Sequence, residues 1–137
     1  MRSAGVYGRL HHAVKRYRPK RVYDAANPDD GLRVLVDRLW PRGLSKAEAR
    51  VDLWLKEASP SNELRRAFHA GEMSWEDFAE AYVRELSREP ANSAARALAK
   101  RNESVVTLLY SSKNTKQNNA AVLAAWLERE SRSQGRG

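Results

Sequence analysis

Two short stretches of the 137-residue sequence gather side chains able to act on a small charged molecule: Asp37-Arg38-Leu39-Trp40-Pro41-Arg42 and Ser111-Ser112-Lys113. Arginine grips carboxylates and phosphates in two-pronged fashion, so Arg38 and Arg42 suit an anionic ligand. Lys113 adds a point charge, and the hydroxyls of Ser111 and Ser112 add donors. The start of a helix just after Lys113 would contribute free backbone N–H groups to the same pocket. Asp37 is the one acid poised for catalysis if its surroundings raise its pKa. Acid/base or glycosidic-bond chemistry centred on Asp37, with the arginines holding phosphate, is the reaction such a pocket would support. Trp40, between two arginines in a loop, would make a stacking wall for a base or another flat ligand.

Each residue also has a structural alternative. Asp37 and Arg38 would form an ion pair that fixes the loop, and Arg42 would cap a helix or lie over Trp40. Lys113 would be solvated at a strand end, the serines ordinary loop hydroxyls, and Trp40 an anchor for its loop.

These stretches follow segments that read as strands. Residues 32–37 hold Val34, Leu35 and Val36 in succession, the pattern of a strand buried on both faces, and residues 105–110 form a second apolar, β-branched run. Shorter strands are expected at 21–24 and 51–55. Ser45 and Glu48 have capping-box spacing, so a short helix starts there. A further helix is expected over 62–68. Over 74–86, Trp75, Phe78, Ala79, Tyr82, Val83 and Leu86 line one helical face behind a Ser74 cap. Ala-rich residues from Pro90 to about 101 and residues 115–130 give two more helices. Strands alternating with helices predict a three-layer α/β/α domain over 21–130 with a small, mostly parallel sheet. Ligands of such sheets collect at the carboxyl ends of the strands, where Asp37 and Ser111 fall.

The 25 Lys and Arg against 17 Asp and Glu give a net charge of +8. The excess sits at the ends. Residues 1–21 carry seven cations and no acid, whereas residues 22–130 sum to −1. Residues 1–20 therefore read as a basic extension, flexible or a short helix, and 131–137 as a disordered tail. Arg9, Lys15, Arg16, Arg18, Lys20 and Arg21 would contact nucleic-acid phosphates in an alternative reading. Val6, Leu10, Val14 and Tyr17 would dock on a protein partner in another.

Several function classes are excluded or disfavoured. The absence of cysteine removes disulfides, Cys-ligated zinc and thiol nucleophiles. His11, His12 and His69 are too few and badly spaced for a zinc site or a Ser-His-Asp triad, so no metal is expected. The scattered glycines make no phosphate-cradling loop, and no cofactor is indicated. Without an apolar run long enough for a bilayer or a secretory signal, a cytoplasmic protein with no membrane partner is expected. The oligomeric state is not encoded legibly.

The segment Leu35-Val36-Asp37-Arg38-Leu39-Trp40-Pro41-Arg42-Gly43, with Ser45-Lys46, resembles the domain-of-unknown-function family 488, YeaO-like branch. Asp52-Leu53-Trp54-Leu55-Lys56, Ser59-Pro60-Ser61-Asn62-Glu63-Leu64-Arg65 and Thr107-Leu108-Leu109-Tyr110 extend the resemblance across residues 21–130. It implies a small bacterial cytoplasmic protein with an α/β fold and no defined activity. Some such proteins carry a porphyrin methyltransferase label, but this chain lacks the Gly-rich cofactor loop that activity would need. Where the family tends to carry an acid and then a His-Asn-His triplet, this chain has Asn114 and Gln117-Asn118-Asn119. Amides keep hydrogen bonding but remove proton transfer and metal ligation near neutral pH, which implies binding without turnover.

Overall fold

Strand β1 (Arg16–Arg21), β2 (Leu32–Leu35), β3 (Leu53–Trp54) and β4 (Val105–Tyr110) make one parallel sheet in the order β1-β4-β2-β3. The computed structural model describes residues 15–136. Because β4 is flanked on both edges, Val106 through Tyr110 are all buried, as an uninterrupted apolar run requires. Helix α1 (Lys46–Ala49) joins β2 to β3, helices α2 (Asn62–His69), α3 (Trp75–Leu86) and α4 (Ala91–Ala99) follow one another between β3 and β4, and α5 (Asn119–Arg136) follows β4. The α/β class and its parallel sheet are as the sequence predicts.

The alternation of side chains along each strand builds two unequal cores. Tyr17, Val34, Val36, Val106, Leu108 and Tyr110 face the longer helices, meeting Leu64, Phe78, Tyr82, Leu98, Leu123 and Leu127. Trp75 and Trp126 belong to this core, as their helical stripes predict. Leu35 and Leu109 point to the other side, where Val22, Ala49, Trp40, Leu44, Val51 and Trp54 cover them. The layer on that face is therefore thin, being a four-residue helix and the loop segments around it.

On this thinner side the sheet rests on a charged clamp. Asp30 and Arg33, 1% and 6% exposed, pair at 2.5 Å, and Lys20 reaches Asp30 at 3.0 Å. Arg33 also donates to the carbonyls of Ala49 and Arg50, holding Arg50 in its left-handed conformation at the end of α1. Gly31, with φ +62, lets the chain pass under β4, since a Cβ there would lie 2.3 Å from the Val105 carbonyl oxygen.

Several element boundaries depart from expectation, among them the end of β2 at Leu35 rather than 37 and the start of the last helix at Asn119 rather than 115. The first strand occupies Arg16–Arg21 rather than 21–24, because Tyr17 fills the core and every residue of Arg16–Arg21 pairs with β4. An alternating R-Y-R-P-K-R segment reads as a basic arm in sequence, yet it is an edge strand in which Pro19 and exposed cations suit an unpaired outer edge. The last helix runs on through residues 131–136, where a disordered tail is expected, and the Tyr17 hydroxyl and Ser131 Oγ lie 3.1 Å apart there. The 51–55 strand shortens to two residues. Arg9, Val6, Leu10 and Val14 lie outside the described residues.

Candidate functional site

Four chain segments converge at the carboxyl ends of the strands around a cavity of about 310 Å³. Tyr23 reaches it from the end of β1, and Asp37, Leu39, Trp40, Pro41 and Arg42 from the loop after β2. Ser111 and Ser112 come from the end of β4, with Gln117, Asn118 and Asn119 from the start of α5. The far wall is Pro60, Arg65, Phe68, His69 and Phe78.

Asp37 is fully engaged within the protein. Its Oδ2 accepts the Ser111 N–H at 2.8 Å and the Ser111 hydroxyl at 2.6 Å, while Oδ1 accepts Asn119 Nδ2 at 3.0 Å. Asn119 Nδ2 also donates to the Val36 carbonyl. Arg21 holds the carbonyls of Ser112 and Ser111 from the opposite side. The turn from β4 into α5 is thus clamped by the strand on each flank of β4. Asp37 makes no ion pair with Arg38; its partners are Ser111 and Asn119.

Arg38 turns away from the cavity, donating Nε to Pro60 O and Nη2 to Ser59 O, both at 3.0 Å. This ties the β2 loop to the start of α2. Lys113 is exposed and does not line the cavity. Arg42 does line it, with an exposed side chain, and its carbonyl accepts the Tyr23 hydroxyl. Trp40 is both wall and anchor. It packs edge-on against Trp54 with centroids 5.4 Å apart and donates Nε1 to Leu44 O, which leaves its ring part of the small core.

The helix start expected to offer free N–H groups is largely self-capped. Asn114 Oδ1 accepts the N–H groups of Lys116 and Gln117, and Asn118 Oδ1 accepts that of Ala121. The cationic side chains on the cavity wall are those of Arg42 and Arg65.

The sequence reading gave no role to the far wall. Ser61 caps α2 through the Leu64 N–H and itself donates its N–H and hydroxyl to Glu85 of α3, which fixes the helix. Arg65, Phe68 and His69 then fall at i, i+3 and i+4, one face of α2, directed at the cavity. That spacing is visible in the sequence, but nothing in it says which way the face points. Arg65 Nε is buried with no hydrogen-bond partner among the described residues. Phe68 stacks on Phe78 at 4.5 Å. Behind this wall, burial pushes the Tyr82 hydroxyl far above its ordinary pKa, with Glu85 and Asp37 adding to the effect, so it stays a neutral donor to Ala58 O.

Among the described residues no group of three or more His, Asp or Glu is placed to hold a metal, and no helix is long and apolar enough to cross a membrane.

Comparison with known proteins agrees with the resemblance in the motifs. A family model described as "Inactive DUF488-N3 subclade" matches residues 16–137. The "Uncharacterized protein YeaO" of Escherichia coli is 50% identical over 109 residues, covering 79% of this chain and 93% of that protein. Relatives in Mycobacterium bovis and Mycobacterium tuberculosis, also named uncharacterized, are 43% identical over 112 residues, 82% of this chain and 93% of theirs. No solved structure matches the chain. With its strand-end motif, its parallel sheet and relatives matched over most of their length, this protein belongs to the DUF488 family, in its YeaO-like branch.

Proposed function

We propose that the protein binds a small anionic or nucleotide-like ligand in the cavity at the carboxyl ends of its strands, and that it does so without turning the ligand over. The observation that carries this reading is the charge balance of the cavity wall. Arg42 and Arg65 face it, while the one carboxylate there, Asp37, already accepts three hydrogen bonds from Ser111 and Asn119. A surplus of cationic donors in a partly desolvated pocket favours an oxyanion.

Binding without turnover is favoured by the same contacts. For general acid/base work Asp37 would have to give up Ser111 and Asn119, and the amides of Gln117 and Asn119 carry no proton that titrates near neutral pH. The Ser111 hydroxyl and backbone N–H both hold one oxygen of Asp37, an arrangement that ties the turn together, and no histidine is paired with that hydroxyl among the described residues. The description of the matched family model as inactive is in keeping with this. A thermal-shift screen of nucleotides and sugar phosphates tests the reading: a ligand that raises the melting temperature of the native protein, and not of Arg42→Ala, supports it. If no such compound shifts the transition, the reading fails. A cytoplasmic setting is part of the proposal, checked by cell fractionation.

The alternative, nucleic acid or a protein partner on the basic N-terminal segment, draws less support. Lys15 donates to the carbonyls of Ala99 and Arg101, Lys20 pairs with Asp30, and Arg21 holds Ser111 and Ser112. Arg16 and Arg18 on the outer strand are exposed. Salt-dependent binding of oligonucleotides that disappears in Arg16→Glu/Arg18→Glu would favour it.

A further inference from the structure

Arg65 sits half-buried on the cavity wall with an unusual defect. Its Nε is buried without a hydrogen-bond partner among the described residues, and its Nη2 meets only Asn62 Oδ1, at 3.5 Å. A guanidinium presents its N–H groups in a rigid fork that matches two oxygens of a carboxylate or phosphate. A buried donor with no acceptor destabilises the ligand-free protein. Nε itself is sealed from the cavity, but the Nη nitrogens at the end of the same guanidinium have no strong partner among the described residues and can take an oxyanion. Nearly one turn further along α2, Phe68 lines the same cavity and stacks on Phe78 with an interplanar angle of 25°. The wall therefore offers a charged fork and, beside it, an aromatic surface.

We infer that Arg65 is the oxyanion anchor of this cavity, and that its ligand is a flat ring bearing a phosphate or carboxylate, with the oxyanion on the Arg65 fork and the ring toward Phe68 and Phe78. The inference rests on the reading that the cavity binds an anion and adds the anchor and the shape of the ligand. A cavity of about 310 Å³ has room for a mononucleotide or a substituted aromatic acid. Arg38 and Lys113 play no part, since one is spent on Ser59 and Pro60 and the other lies outside the wall.

The direct test is a 1H–15N NMR titration of the full chain that follows the arginine Nε–Hε signals together with the backbone amides. The probes are phenyl phosphate, benzoate and uncharged benzamide. With either anion, the Arg65 Nε–Hε signal moves downfield and the amides of Phe68 and Ser111 shift, whereas benzamide leaves the Arg65 signal in place. Movement with phenyl phosphate alone, or with benzoate alone, identifies the oxyanion as phosphate or carboxylate. Arg65→Met weakens the anion at least tenfold without lowering the melting temperature of the ligand-free protein, and Arg65→Lys recovers only part of the affinity. Shifts in the cavity amides with an unmoved Arg65 Nε–Hε overturn the anchor while leaving the anion-binding reading intact. No response anywhere in the cavity to saturating phenyl phosphate or benzoate overturns both.

Discussion

Ser111 gives both its backbone N–H and its hydroxyl to one oxygen of Asp37, at 2.8 and 2.6 Å, across the exits of two neighbouring strands. The other oxygen takes the Asn119 amide at the start of α5. The acid that stands out in the sequence as a catalyst thus ties β2, β4 and α5 together at the mouth of the cavity. In Asp37→Asn one carboxylate oxygen becomes an NH2 group facing a donor. The substitution costs about 1–3 kcal/mol of stability by urea unfolding, a size set by leaving partly buried donors unpaired.

Arg38 and Arg42, four residues apart, have opposite surroundings: Arg38 holds two backbone carbonyls, and Arg42 lines the cavity with an exposed side chain. Arg38→Ala frees two carbonyls, those of Ser59 and Pro60, and lowers stability by about 1–3 kcal/mol while changing anion affinity little. Arg42→Ala, at an exposed side chain, leaves the unfolding midpoint within about 0.5 kcal/mol and weakens anion binding. Urea unfolding and calorimetric titration on the two variants separate these outcomes.

Trp40 is worth more as an anchor than as a stacking wall. Removing its ring in Trp40→Ala strips the cover from Leu35 and Leu109 and loses the contact with Trp54. Since Trp40 is only partly buried, the loss of stability falls at or below the low end of the about 3–5 kcal/mol usual for a buried Trp. Trp40→Phe keeps most of the packing and loses the hydrogen bond to Leu44, for about 1 kcal/mol.

The clamp beneath the sheet contributes to the acid stability. Burial alone would raise the pKa of Asp30, but the Asn27 N–H, Lys20 and Arg33 outweigh it and hold the carboxyl below its ordinary value. A lowered folded-state pKa means that the unfolded chain takes up the proton first as pH falls. The stabilisation is therefore complete above the unfolded value of about 4 and is lost as pH falls from there through the folded value. Asp30→Asn removes this contribution at neutral pH, about 3 kcal/mol for a broken buried pair, and flattens the pH dependence of urea unfolding below pH 4.

Much of this was legible in the sequence because burial on both faces leaves an uninterrupted apolar run. The segment Val105–Tyr110 is a strand in both readings, and the apolar stripe behind the Ser74 cap places α3 without error at either end. The cavity at the strand ends follows from topology alone, and Asp37, Trp40, Arg42, Ser111 and Ser112 line it. Charge misled where it masked a periodic pattern. Arg16–Arg21 looks like an arm because only Tyr17 among its residues is buried, and an edge strand needs no more. Arg65 was hidden for a different reason: its role depends on which way α2 faces, and that is fixed by the contact between Ser61 and Glu85, 24 residues apart in the chain. Arg38 carried the same residue type as Arg42 and the opposite orientation, which one sequence does not distinguish.

The anion-binding cavity is tested most directly by isothermal titration of the native protein with adenosine 5′-monophosphate and with adenosine, at low and at moderate salt. Binding of the monophosphate, at least tenfold tighter than of the nucleoside and reduced by Arg42→Ala and Arg65→Met, is the predicted result. Equal binding of the two compounds, or none at millimolar concentration, would contradict it.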